Sequence, residues 1–291
     1  MLNDVSTRAR LERTVFPEYE LFRESCEKGL SVIYPFVSSD SPDPNGWKFG
    51  RGWPPSYKAF GRMRSLLAVH DALESKPKRV LEVAAGGGGL AAALASRGSE
   101  VSVNDLRDTD LRTAINEYTT SRQITICGGN FFDLSPALTG KFDLVVACEI
   151  IEHVARPIEL LKHLKGFLNP NGRVLLTTPN GSYFRNKLPT FSEIKDFDDL
   201  ETQQFKPDAD GHLFLLTPQE LSGVAASAGL VVERLNAWGT PLLNGHVLCR
   251  IFAGRSLTWT AYQVEKLTQR LPPFGREYLC FALSAILRAA S

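Results

Sequence analysis

The sequence predicts an α/β fold: a mainly parallel sheet with helices on both faces and one antiparallel strand near its end. Three observations carry this. From Lys78 onward, short apolar runs alternate with helical stretches. Four consecutive glycines, Gly86 to Gly89, stand where the first run hands over to the first helical stretch. Two late strand-like runs, "LVVERLNAW" and "HVLCRIFAG", are joined by "GTPLLNG". That linker holds no helix, so the pair is expected to be antiparallel.

Taken in order, residues 1–77 read as a helical and irregular arm containing the aromatic, proline-rich stretch "NGWKFGRGWPPSYKAFGRM". "RVLEVA" is the first strand and "GLAAALASRG" a helix, with Leu90 and Leu94 one turn apart and Gly98 at its stop. "EVSVND" and "LRDTDLRTAINEY" form the next strand and helix, "QITIC" a third strand, and "FDLVVACE" a fourth. A helix begins near Pro157, whose fixed φ suits the first helical position. "NPNG" turns the chain into a fifth strand, "RVLLTT". Residues 181–216 are a long insertion, and loops of that length are usually functional. "TPQELSGVAASAG" is a helix with Thr217 as N-cap and Glu220 as its capping-box partner. The domain is expected to span 78–254, with 255–291 as a helical extension.

The 33 Lys and Arg against 32 acids leave a net charge of +1, which argues against a dedicated nucleic-acid binder. The charge is uneven: Lys48 to Arg79 holds eight cations and two acids, and Glu193 to Asp210 holds seven acids and two lysines. The five cysteines are scattered, with no CxxC pair, which fits reduced thiols and a cytoplasmic protein. No apolar run reaches the roughly 18 residues of a membrane span. The C-terminal "REYLCFALSAILRAA" is expected to be a helix packing on the sheet edge or in a homodimer. Membrane contact through residues 278–288 is the other option.

Glycines at the exit of a first parallel strand let a ligand lie against bare backbone, and the following helix offers free N–H groups. A nucleotide-like cofactor follows. Gly86, Gly88 and Ala91 also fit the GxGxxG/A pattern of dinucleotide sites. A carboxylate at Glu82 would lie beside a pyrophosphate, however, and is better matched to a ligand carrying an ammonium group.

"VLEVAAGGGGLAAALASRGSEVSVNDL" and "FDLVVACEIIEHV…LLKHLKGFLNPNGRVLLTTPN" resemble the motifs of class I S-adenosylmethionine-dependent methyltransferases. The branch most resembled includes the ubiquinone-biosynthesis O-methyltransferases. The resemblance implies a Rossmann-like sheet of order 3-2-1-4-5-7-6 with strand seven antiparallel. It also implies S-adenosyl-L-methionine as cofactor and S-adenosyl-L-homocysteine as product.

By the same resemblance, Glu82 is the acidic residue at the end of strand one, and Gly86 and Gly88 are the second and third loop glycines. Ala84 stands where the family has its first glycine. Asp105 matches the acid that accepts from the ribose hydroxyls, with Leu106 beside it. Asn130 and Phe131 fall where the adenine edge and face are met, and Cys148 and Glu149 line the strand-four exit.

His153 is the candidate general base and His212, at the end of the acidic insertion, a second catalytic candidate. Trp53, Tyr57 and Tyr183 are candidate substrate contacts. No metal is expected, because a helix start does not hold Glu149, Glu152 and His153 towards one ion. The acceptor is expected to be a small molecule or a sugar. Two alternatives stand beside this reading. One is an NAD(P)-dependent oxidoreductase, to which the Tyr183–Lys187 YxxxK spacing formally points. The other is a non-catalytic protein that binds S-adenosylmethionine.

Overall fold

The computed structural model describes residues 10–28, 55–116, 123–204, 211–243 and 255–290. Seven strands form one sheet: β1 (Arg79–Val83), β2 (Glu100–Asn104), β3 (Ile124–Ile126), β4 (Phe142–Cys148), β5 (Leu168–Pro179), β6 (Leu230–Trp238) and β7 (Ala282–Ala289). Their order is β3-β2-β1-β4-β5-β7-β6. The first five pair in parallel, and β7 runs antiparallel to both β5 and β6. The order and the antiparallel seventh strand agree with expectation.

Both faces of the sheet are covered, so the central strands are apolar on both sides. In β4, Val145 and Ala147 face one core, while Leu144 and Val146 face the other. The first core takes α5 (Pro157–Phe167) and α7 (Pro218–Ser227), through Leu160, Leu161, Leu164, Leu221 and Val224. The second takes α2 (Pro55–Glu74), through Met63 and Leu66, and α3 (Gly89–Ala95), through Ala92 and Leu94. The alanines of α3 let the helix lie close to the sheet. The capping box at Thr217 forms as expected, with the Glu220 N–H donating to the Thr217 hydroxyl at 3.1 Å.

The expected position of the seventh strand was wrong. Residues 246–254 lie outside the described residues, and the strand that pairs with β6 is β7, formed by "ALSAILRA". This is the stretch expected to be a helix. It follows α8 (Arg255–Thr268) and α9 (Pro273–Leu279), so β6 and β7 are not joined by a short turn. Alanine and leucine favour helix locally. The segment is hidden on both faces, with Leu283, Ala285 and Leu287 in one core and Ala282 and Ile286 in the other. A short apolar run buried on both sides has no amphipathic period to separate strand from helix. Its place between β5 and β6 also removes residues 282–287 from any membrane surface.

The chain start packs beside β6. The Glu12 N–H donates to the Leu235 carbonyl at 2.7 Å, and Arg276 donates to the carbonyls of Leu11, at 2.7 Å, and Glu12. Next comes α1 (Tyr19–Lys28), whose Phe22 stacks on Tyr262 of α8 at 5.8 Å between centroids. The described part of the insertion after β5 has its own core. Phe191 and Phe214 pack at 5.3 Å, α6 (Phe197–Gln203) buries Leu200, and Arg156 pairs with Asp198 and Glu201.

Candidate active site

The exits of β1 and β4, the glycine loop into α3 and one side of α2 enclose a cleft of about 260 Å³. Its walls include Glu82, Ala84, Gly86, Cys148, Glu149 and Arg64. Gly86 and Gly88 have φ of +56° and +67°, the left-handed region that favours glycine. At Gly86 a Cβ would meet nothing within 4 Å. At Gly88, the N-cap of α3, it would come within 2.4 Å of the Ile115 side chain. Ala84, where the resemblance implies glycine, also has positive φ, +52°. The loop therefore keeps the backbone shape that glycine would allow, and the alanine bears its strain.

Glu82 is fully buried at the end of β1, and burial pushes its carboxyl up to about 8, partly offset by an N–H bond from Ala91. Its Oε2 has no hydrogen-bond partner. An unsatisfied buried carboxyl oxygen is costly unless a ligand donor completes it. On another wall, Arg64 of α2 pairs with Glu149 at 3.0 Å. The cleft thus presents an unsatisfied carboxyl and a guanidinium together, which matches the ammonium and carboxylate of an amino-acid group.

Asp105, just beyond β2, accepts the Gly86 N–H at 2.8 Å and the Arg107 N–H at 2.9 Å. These bonds tie the glycine loop to the β2 exit and hold the carboxylate in place. Leu106 beside it is 52% exposed. Asn130 and Phe131 do not form an open edge and face. The Asn130 Oδ1 caps a short 3-10 turn by accepting the Phe132 N–H at 3.2 Å. Phe131 is buried against His163 at 5.3 Å. The Cys148 thiol is pushed up to about 12 by burial, so it lines the cleft as an inert group.

Glu149 leaves β4 with φ +53°, a strained conformation for a side-chain-bearing residue. Its Oε1 accepts the Thr177 hydroxyl at 2.9 Å while Oε2 meets Arg64. Glu149 is thus engaged by Thr177 and Arg64, and the neighbouring cluster is built from Glu152, His153 and His212. His153 Nδ1 lies 3.2 Å from the Gly211 carbonyl. A carbonyl only accepts, so Nδ1 carries the proton and Nε2 carries the lone pair. Both Nε2 atoms, of His153 and His212, stand 3.9 Å from Glu152 Oε1. That oxygen is buried and has no hydrogen-bond partner, while Oε2 accepts the Thr178 hydroxyl at 3.0 Å. Burial, and then the Glu149 charge, hold the Glu152 carboxyl well above its ordinary range.

The expectation of no metal cluster is corrected in one respect. Glu152, His153 and His212 each offer a ligand atom within 4.8 Å of the others. The spacing EIIEH gave two of these residues, and His212 joins them because the insertion folds back, with the Leu213 N–H donating to the Glu152 carbonyl at 2.8 Å. That return through 58 residues left no local signal in the sequence.

Of the candidate substrate contacts, Trp53 lies outside the described residues and Tyr57 falls in the first turn of α2. Tyr183 is buried, packing edge-on against Phe281 at 5.7 Å, and it does not line the cleft. Lys187 of the YxxxK spacing is exposed. Arg64 is the residue that the sequence reading missed. Its only signal was the cationic bias between Lys48 and Arg79.

Fold and site together define a class I S-adenosylmethionine-dependent methyltransferase. Residues 57–261 match the family described as "Methyltransferase domain", and the chain belongs to that family. Among curated proteins it is similar to the ubiquinone biosynthesis O-methyltransferase of Dechloromonas aromatica (strain RCB). That match is 30% identical over 142 residues, covering 46% of this chain and 61% of the relative. The protein of the same name from Idiomarina loihiensis is 36% identical over 107 residues, covering 35% and 43%. The chain thus spans less than two thirds of the length of these relatives.

Two solved structures share the fold. The CcbJ methyltransferase from Streptomyces caelestis superposes with a TM-score of 0.51 at 16% identity, covering 94% of this chain and all of that one. The [4+2]-cyclase SpnF gives 0.50 at 14% identity, covering 97% and 99%. A cyclase on this fold shows that the sheet alone does not dictate the reaction. The cofactor of this site is S-adenosylmethionine, and the cleft fits it: Glu82 Oε2 awaits a donor, and Gly86 opens onto space.

Proposed function

We propose that this protein methylates a hydroxyl oxygen of a small molecule or sugar. The observation that carries the reading is the Glu152–His153–His212 cluster beside the strand-four exit. An alcohol or phenol must lose its proton to become a strong nucleophile, whereas a neutral amine already carries a lone pair. A lone-pair imidazole nitrogen next to the cofactor cleft is suited to an oxygen acceptor. The two relatives described above are both O-methyltransferases, which supports the same atom.

The bound cofactor would supply an electrophilic methyl group on a sulfonium sulfur. In this reading Glu82 and Arg64 take its amino-acid end, and Asp105 takes the ribose hydroxyls. His153 Nε2 accepts the acceptor proton, and the positive ring that results would favour the ionised form of the Glu152 carboxyl 3.9 Å away. Positioning of the acceptor supplies on the order of 7–11 kcal/mol and the base about 10²–10⁴-fold in rate.

A second reading of the cluster has its own observation in favour. The two 3.9 Å separations are too long for hydrogen bonds, and the three candidate ligand atoms lie within 4.8 Å of one another. Glu152, His153 and His212 would then hold a divalent cation as a Lewis acid for the hydroxyl. Transfer of labelled methyl from the cofactor to a panel of phenols, sugars and amines tests the function. Label in a hydroxyl acceptor supports it. Label confined to amines contradicts the oxygen assignment, and no label in any acceptor favours a non-catalytic cofactor binder.

A further inference from the structure

Seven of the ten large apolar side chains exposed among the described residues lie on α8, α9, the turn between them or the loop after β5. Phe274 is 75% and Tyr278 57% exposed, one turn apart on α9. Phe184 packs on Tyr278 at 5.4 Å between centroids, and its N–H donates to the Tyr278 carbonyl at 3.0 Å. This joins the loop to the helix. Leu188, on the same loop, and Leu271, just before the helix, are also exposed.

The exposed charges within residues 184–188 and 266–278 have one sign. Arg185, Lys187, Lys266 and Arg270 are exposed. The two nearby acids are engaged: Glu265 is buried and accepts the N–H groups of Gly239 and Thr240, and Glu277 accepts the Ser182 hydroxyl at 2.7 Å. A chain with net charge +1 therefore carries four exposed cations on the same segments as these rings, Arg185 and Lys187 just after Phe184 and Arg270 just before Leu271. Phe274 and Tyr278 stand on the helix that opens at the "LPPFG" corner, and Phe184 meets Tyr278 from the loop after β5.

We propose that this corner docks on an anionic lipid bilayer. Phe274, Tyr278 and Phe184 would enter the boundary between headgroups and acyl chains, and the four cations would meet lipid phosphates. Exposed aromatic rings on segments whose exposed charges are all cations match a soft anionic surface. The docking rests on no assignment of the methyl acceptor.

Vesicle co-sedimentation of the full chain tests it, with phosphatidylglycerol–phosphatidylcholine vesicles against pure phosphatidylcholine. Binding is expected only with the anionic vesicles and is expected to fall as salt rises. Replacing three cations (R185E, K187E and R270E) should weaken partitioning by about 100-fold or more. F274S with Y278S should also weaken it, and circular dichroism and melting should stay unchanged because all these side chains are exposed. No binding to anionic vesicles would overturn the proposal, as would binding that both variants leave intact. A dimer in sedimentation velocity that F274S abolishes would also overturn it, by assigning the corner to a second copy.

Discussion

Arg64 of α2 and Glu149 at the exit of β4 form an ion pair at 3.0 Å, both largely buried in the cofactor cleft. The pair ties the helical arm to the sheet at the point where β4 leaves it. Glu149 is also held by Thr177, so its carboxylate keeps one partner if Arg64 is lost. Hydrogen bonds to charged groups contribute about 1.5–3 kcal/mol each, equivalent to about 10–100-fold in affinity. Arg64→Ala is therefore expected to weaken S-adenosylmethionine binding by that factor, with Arg64→Lys recovering part of it. Calorimetric titration of the two variants checks this, and wild-type affinity in Arg64→Ala would remove the residue from the site.

Cofactor binding is expected to release a proton. Glu82, raised to about 8, is mostly neutral at pH 7, and an ammonium group favours its ionised form. Affinity should rise with pH towards about 8. Titration at pH 7 in buffers of different ionisation enthalpy should show the release, and Glu82→Gln should abolish it. The stability of the protein without ligand runs the other way. The folded pKa is above the unfolded one, so the contribution is complete below about 4.5 and is lost as pH rises through about 8.

Ala84→Gly should stabilise the fold. A left-handed conformation costs a side-chain-bearing residue about 1–2 kcal/mol, and the extra freedom of glycine in the unfolded chain returns part of that. A net gain of about 0.5–1 kcal/mol, or roughly 1–4 °C in Tm, is expected by calorimetry. A lower Tm would show that the alanine methyl packs favourably enough to outweigh its φ of +52°.

Asp105→Ala should act on the loop and the cofactor together. The Gly86 and Arg107 N–H groups lose their acceptor, and the ribose loses its own. About 10–100-fold weaker cofactor binding is expected, on the same charged hydrogen-bond scale. An unchanged dissociation constant would exclude the ribose role.

His153→Ala should lower kcat by about 10²–10⁴-fold with cofactor affinity little changed. If proton transfer is the cluster's whole task, turnover survives dialysis against a chelator. Loss of activity that an added divalent ion restores would assign Glu152, His153 and His212 to a metal instead.

The cofactor half of the molecule was legible because its signals are local. Glu82, the glycines and Asp105 sit at strand exits separated by short, regular distances, and the capping box at Thr217 is written in four residues. What was missed depends on distant pairing. β7 became a strand only because β5 and β6 bury it on both sides, against the helical preference of its alanines and leucines. Arg64 reaches the cleft through the packing of α2, and His212 reaches His153 through the fold of the insertion. Phe131 was misplaced for a similar reason: its neighbour Asn130 caps a turn that sends the ring into the core.

The most direct test is a side-by-side calorimetric titration of the purified chain with S-adenosylmethionine, S-adenosylhomocysteine, NAD and NADP. Saturable one-site heat with the first two compounds, weakened in Asp105→Ala, is the predicted result. Silence with both and a clean isotherm with a dinucleotide would contradict the assignment of the cleft.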